Sequence, residues 1–248
     1  MAGRDYAASR GEYLNSMVLA KYLDFDFIDA AKYVFFDESG SFDWEKTAEK
    51  LVPKLASTEY AVIPGFYGSM PNGTIKTFSR GGSDVTGSIV ARAASAKIYE
   101  NWTDVSGILM ADPRIVDNPR PIAHITYSEL RELSYMGANV LHEETIFPVR
   151  IKDIPINIRN TNDPQAPGTL IQESFSKETR EERKRFITGI SGRKDFSILT
   201  LRKGHLAADT GTIRGVLAIF EKYNVPIEHF PSGIDSFSLV VSCLLYTS

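Results

Sequence analysis

The sequence holds a single cysteine, Cys243, which excludes an intrachain disulfide and any Cys-rich zinc site. So little cysteine fits a reducing compartment, and a cytoplasmic protein is expected. No run approaches the roughly 20 apolar residues that span a bilayer. Residues 1–10 lack the apolar stretch of a signal peptide, so the sequons at Asn72 and Asn101 carry no glycan in this reading. An excess of one charge sign is missing too. The 28 Lys and Arg against 31 Asp and Glu leave a net charge of −3, which argues against nucleic-acid or membrane-surface partners. No Gly-Lys dipeptide occurs, which excludes a Walker A loop, and no Gly-X-Gly-X-X-Gly fingerprint for dinucleotides occurs either. Internal repeats and low-complexity tracts are absent.

What is present is ordinary globular chain. Its 248 residues with 43% apolar and 24% charged side chains can build a sizeable core, as one large domain or up to two. Residues 9–12 lead into an amphipathic helix with Leu14, Val18, Leu19 and Leu23 near one face. A short aromatic strand is predicted at 33–36. Asp43 caps a helix bearing Trp44, Thr47, Ala48, Leu51 and Leu55, and a buried strand follows at 60–63, closed by Pro64-Gly65. Strand, helix, strand signals a parallel α/β sheet.

Ser83 is placed to cap a helix running to about Ala96, followed by a strand at 97–102 that ends at Thr103-Asp104. Thr126-Tyr127-Ser128-Glu129 is a capping box for a helix ending near Gly137. Another strand is predicted at 155–159 and a turn at 162–164. Residues 177–185 carry mixed charge without apolar residues, as a linker or solvated helix does. A second unit then begins: a strand at 196–201, a loop at 205–212, a helix at 213–223, and a hairpin of 225–230 with 237–241. Residues 243–248 are set aside as a sequencing scar, since a common adaptor DNA encodes that hexapeptide in one frame.

The richest stretch is Ser79-Arg80-Gly81-Gly82-Ser83-Asp84, where a Gly-rich loop meets a helix start. Such a join presents free backbone N–H groups and the positive end of a helix dipole. Arg80 can clamp a carboxylate or phosphate, and Asp84 can accept from an amino group or orient a lysine. A plain strand-to-helix turn, with Asp84 stabilising the dipole, is the structural alternative. Thr103-Asp104 sits at the carboxyl end of a strand, where open α/β sheets bind ligands. Arg114, in the turn Asp112-Pro113-Arg114, is placed either to meet phosphates or to stand solvated. His142 with Glu143 and Glu144 is a poor metal cluster, because adjacent residues do not share a helix face; no metal ligands are assigned. His124, His205 and His229 lack matching partners.

Taken together, 9–12, 80–84, 102–105 with 112–114, 137–142 and 163–170 resemble aspartate kinase, of the amino-acid kinase family, in family order. Residues 186–242 resemble the first ACT regulatory domain of that family. The resemblance implies a three-layer α/β kinase portion with a mainly parallel sheet over 1–173, a linker at 174–185 and an incomplete α+β ACT-like domain after it. It implies ATP-dependent phosphorylation of the side chain of L-aspartate, with Mg²⁺, at the head of lysine, threonine and methionine biosynthesis. Glu12, Arg80, Gly81, Gly82 and Ser83 match aspartate-binding positions, with Arg80 on the α-carboxylate and Glu12 on the ammonium. Asp84 and Arg80 are the implied catalytic residues.

Thr103, Asp104, Leu109, Arg114, Asn139 and Val140 match ATP-contacting positions; Leu109 stands where Tyr is frequent, and Asn139 where Lys is frequent. Lysine or threonine is the implied effector, bound near 205–212, and a homo-oligomer is implied for the parent protein. The family's opening Lys-Phe-Gly-Gly strand and second ACT domain do not occur in these 248 residues, so the expectation is that this polypeptide alone is inactive or nearly so. Two alternatives stand beside this reading. One is a non-catalytic amino-acid-binding regulator. The other is a sister kinase for glutamate or a nucleotide, which 9–12 and the ACT-like segment disfavour.

Overall fold

The computed structural model describes residues 3–79, 81–137, 141, 143–176 and 187–243. The chain divides into two compact units, Met1–Ser191 and Gly192–Ser248. The Ile190 amide donates to Met110 O and the Ser191 hydroxyl to Leu133 O. Those bonds hold the stretch before Gly192 to the first unit, so the division lies beyond the boundary near 186 expected from sequence. The segment 177–185, expected as a linker, lies outside the described residues. Among the described residues no helix is long and apolar enough to cross a membrane.

The first unit is α/β. Helix α1 (Arg4–Leu23) leads to β1 (Asp26–Phe27), β2 (Phe35–Phe36), β3 (Phe42–Asp43), α2 (Trp44–Ala56), β4 (Ala61–Val62), β5 (Tyr67–Ser69) and β6 (Ile75–Thr77). Then come α3 (Gly82–Ala93), β7 (Tyr99–Thr103), β8 (Ile108–Leu109), β9 (Pro121–Ile122), β10 (His124–Thr126), α4 (Tyr127–Tyr135), α5 (Glu143–Arg150), β11 (Ile156–Asn160) and β12 (Thr169–Gln172). Strands β1 and β4 pair in parallel, as do β2 with β5, β7 with β11, and β10 with β12. Antiparallel pairs β2–β3, β5–β6, β8–β9 and β11–β12 complete the sheets. The expected parallel signature is thus shared with short antiparallel pairs, which need no helical crossover.

Capping explains where several helices start. Asp43 accepts from the Lys46 amide at 3.0 Å and opens α2. At α4, Glu129 N donates to the Thr126 hydroxyl, and the Thr126 amide donates back to the Glu129 carboxylate, which completes the capping box read from sequence. The main core gathers Ile122, Ile125, Leu130, Val149, Ile156 and Ile171 from β9–β12, α4 and α5. A second cluster joins α2 to α3 through Leu51, Val85 and Ile89, with the Arg92 guanidinium over the Trp44 ring at 3.5 Å.

Helix α1 departs from its expected pattern. Leu14, Val18, Leu19 and Leu23 are all exposed, and the buried residues are Ser9, Ser16 and Ala20. Small side chains let α1 sit close on β1, β4 and β6, so the apolar residues face away. The second unit has β13 (Phe196–Arg202), α6 (Thr210–Lys222) and β14 (Ser236–Ser242), with β13 and β14 antiparallel. The expected strand at 225–230 does not form; isolated bridges His229–Val240 and Ser232–Phe237 take its place. Replacing Leu130, fully buried, with alanine is expected to cost about 2–5 kcal/mol in urea unfolding. Leu14→Ala, at 59% exposure, should change it by less than about 0.5 kcal/mol.

Candidate active site

The start of α3 depends on two glycines with different duties. Gly81 occupies the N-cap position with φ +58° and offers no side-chain cap. A residue with a Cβ is strained there. Gly82 is buried against the preceding loop. A Cβ on it would stand 2.6 Å from Phe66 Cβ and 3.0 Å from Phe78 Cβ. Thr86 locks the join: its hydroxyl donates to Gly82 O at 2.8 Å and accepts from the Phe66 amide at 3.0 Å. Ser83 is exposed inside the first helical turn and does not cap, contrary to expectation, because Gly81 already holds the cap position. With no side-chain cap, the first-turn N–H groups stay available to an anion. Beside them opens a cleft of about 1170 Å³ lined in part by Phe66, Phe78, Ser79, Val85 and Lys76.

Asp84, in that first turn, is held from β7. The Asn101 amide donates to Asp84 Oδ1 at 2.9 Å and also to the Tyr99 hydroxyl oxygen at 3.1 Å. The Tyr99 hydroxyl in turn donates to the Asp84 carbonyl at 3.2 Å. Burial pushes the Tyr99 hydroxyl up to about 12, so it remains a donor at neutral pH. Residues 99, 101 and 103 share one face of the strand, so the row that fixes Asp84 ends at Thr103. The Thr103 carbonyl accepts from the amide and hydroxyl of Thr161 at 2.8 and 2.9 Å, and its hydroxyl donates to Asp104 Oδ1 at 3.2 Å. In sequence Asn101 stands out only as a sequon; the alternation along β7, which puts it on the face of Tyr99 and Thr103, is the signal for its role.

Other predicted site residues lie on other elements or turns. Glu12 is exposed on α1 and makes no hydrogen bond or ion pair among the described residues. Nearby, Arg10 is clamped between the Tyr6 and Tyr13 rings at 4.4 Å each. Leu109 is exposed on β8. Arg114 is exposed and forks onto Asp112, with Nε to Oδ1 at 3.0 Å and Nη2 to Oδ2 at 2.7 Å. Arg80, Asn139, Val140 and His142 lie outside the described residues. Among the described residues no three His, Cys, Asp or Glu side chains converge into a metal cage.

The Arg114 hydrogen bonds hold the Asp112 carboxyl down to about 2 from 3.8. A lowered folded-state value stabilises above 3.8, and that contribution is lost as pH falls through about 2. Carbon-detected titration of Asp112 should show the low midpoint, and Arg114→Ala should return it toward the ordinary carboxylate range. Gly82→Ala is expected to lower unfolding stability by about 1–3 kcal/mol through its clash with Phe66.

The model for the "Amino acid kinase family" matches residues 1–160. Aspartokinase 3 of Bacillus subtilis is 33% identical over 246 residues, covering 96% of this chain and 53% of its own. The structure of Clostridium acetobutylicum aspartate kinase is 58% identical with a TM-score of 0.84, covering 97% of this chain and 54% of that one. Escherichia coli aspartokinase III in complex with aspartate and ADP is 28% identical with a TM-score of 0.72, over 96% and 54%. The chain thus spans about half the length of the curated relatives it matches. A match running from α1 through β11, and so through the glycine-opened helix and the strand that braces it, settles the lineage: this chain belongs to the amino acid kinase family.

Proposed function

We propose that the protein containing this chain transfers the γ-phosphoryl group of ATP to the side-chain carboxylate of L-aspartate, giving 4-phospho-L-aspartate. The observation that carries this reading is the uncapped, glycine-opened start of α3 with Asp84 fixed in its first turn. The printed names of the relatives and the aspartate- and ADP-bound neighbour support the choice of substrates. The wider role, at the head of lysine, threonine and methionine biosynthesis, rests on the same likeness.

The chemistry asks little of a base. An aspartate side chain is already ionised at pH 7, so the enzyme must align it with the γ-phosphorus and offset charge on the transferring group. Gly81, Gly82 and Ser83 supply backbone N–H groups for the substrate. Arg80 takes its α-carboxylate and Glu12 its ammonium. Thr103, Asp104, Leu109, Arg114, Asn139 and Val140 form the ATP side. Arg114 meets phosphate by giving up its present anionic partner, Asp112.

A Mg²⁺ ion bound with the nucleotide phosphates would need only one or two protein carboxylates. The chemistry of Asp84, whose Oδ2 has no hydrogen-bond partner among the described residues, fits that role. When bound, the ion offsets charge on the transferring phosphoryl group.

The second unit is read as the ACT-like regulatory part. The loop expected at 205–212 is shorter, since α6 begins at Thr210; the Asp209 carboxylate accepts from Lys203 and from the Thr212 amide and so ties this stretch to the helix start. Those donors hold Asp209 well below the usual carboxylate range. A lysine-bound neighbour supports an amino-acid effector there, lysine or threonine, in a homo-oligomeric cytoplasmic enzyme.

Hydroxylamine trapping tests the reaction. The intact protein should form aspartyl hydroxamate only with both ATP and L-aspartate, and Arg80→Ala should cut kcat/KM about 100-fold, the scale of losing a charged hydrogen bond to substrate. Hydroxamate from glutamate in place of aspartate, or none from either, would contradict the proposal.

A further inference from the structure

We infer that Asn101 is a positioning residue for the phosphoryl transfer, acting through its amide on the carboxylate of Asp84. The inference rests on the reading of Asp84 as part of the reacting site. It goes beyond that reading by giving the carboxylate a neutral brace from a second element.

Three observations converge on it. First, the Asn101 amide reaches Asp84 Oδ1 at 2.9 Å, and among the described residues no other hydrogen bond is made to that carboxylate. Second, the brace has its own support. The Tyr99 hydroxyl sits 3.1 Å from the Asn101 amide and donates to the Asp84 carbonyl, so side chain and backbone of one residue are gripped by neighbours two apart on β7. Third, the sequence makes room for this grip. Gly87 lies three residues beyond Asp84 on α3, and a Cβ there would stand 2.6 Å from the Tyr99 hydroxyl oxygen. Any larger residue there would displace the Tyr99 ring and its hydroxyl.

The choice of an amide has a chemical consequence. A lysine or arginine at 101 would offset the charge of Asp84, and an aspartate would repel it. An amide fixes one oxygen, carries no charge, does not titrate, and leaves Oδ2 with no hydrogen bond among the described residues. The same strand carries Thr103 two residues on. Orientation of Asp84 and the seat of the nucleotide therefore share one rigid ruler, β7, held in parallel register by Ile158 opposite Asn101 and Asn160 opposite Thr103.

The test uses the intact protein and hydroxamate formation from ATP and L-aspartate, with Asn101→Ala, Asn101→Asp and Tyr99→Phe. Asn101→Ala should lower kcat about ten- to a hundredfold, as misplacing a reacting group does, while both KM values stay within about twofold. Asn101→Asp is isosteric, which keeps the experiment decisive if the alanine variant folds poorly. It should lower kcat at least as much as Asn101→Ala, because a carboxylate has no N–H to donate to Asp84 Oδ1 and repels it instead.

Tyr99→Phe leaves the amide-to-carboxylate bond in place and should cost less in kcat than Asn101→Ala. An unchanged kcat in Asn101→Ala, an unchanged kcat in Asn101→Asp, or an equal loss in Tyr99→Phe would overturn the inference while leaving the aspartate kinase reading intact. Absence of hydroxamate from the wild-type protein would instead overturn that reading. The geometry has its own check in the 248-residue chain: Asp84→Asn should move the Asn101 side-chain amide resonances, and unmoved resonances would refute the brace.

Discussion

Everything at this site depends on how the chain enters α3. A residue at φ +58° turns the backbone, and the next one is pressed against Phe66 and Phe78 so closely that no Cβ fits. Only glycine satisfies both positions without strain. The consequence reaches past sterics. A helix that begins on glycine has no side-chain oxygen to satisfy its first N–H groups, so those donors and the positive end of the dipole are left for a ligand. Asp43 and Thr126 cap α2 and α4 with their own side chains, and neither start has donors to spare. Helix α1 also begins on a glycine, Gly3, without a side-chain cap, so an open helix start alone does not make a binding end; α3 adds the buried Gly82 and an Asp84 fixed from β7.

The second dependence is between α3 and β7. Thr86 ties α3 to the loop at Phe66 on one side, and Tyr99 and Asn101 tie it to β7 on the other. The first turn of α3 is therefore over-determined. Preorganised donors and a fixed carboxylate lower a barrier without moving at the moment of reaction, and that is the contribution phosphoryl transfer asks of a protein. The Arg114–Asp112 fork is the opposite kind of feature. It is exposed and local, and it joins two residues only two positions apart.

Much of this was legible from residues alone. The capping box at Thr126, the cap at Asp43 and the Gly81-Gly82 pair each carry a local signal strong enough to place an element or a bend. Helix α1 was misread for a physical reason: leucines at helical spacing look like a buried stripe, whereas Ser9, Ser16 and Ala20 are the residues that face inward. Burial of small residues leaves no hydrophobic signature. Ser83 was misplaced as a cap because Ser is the stronger N-cap residue by propensity, while positive φ at Gly81 moved the helix start ahead of it. The strand expected at 225–230 had the composition of an edge but formed only isolated bridges to β14.

Asn101 was invisible as a functional residue because its role exists only across two elements. Nothing in Tyr99-Glu100-Asn101-Trp102 says that the amide will face the first turn of a helix seventeen positions back. Its partner Gly87, likewise, reads as a weak helix residue until Tyr99 is seen filling the missing side chain's space. Tertiary pairs of this kind are where reading a sequence stops and geometry begins.

The central claim is that the glycine-opened end of α3 holds the amino-acid substrate. Titration calorimetry of L-aspartate into the intact protein and its Gly81→Ala variant measures this most directly. A Cβ at a left-handed position costs about 1–2 kcal/mol, and the account predicts a loss of aspartate affinity of about five- to thirtyfold with nucleotide affinity unchanged. Equal aspartate affinity in the two proteins would contradict it.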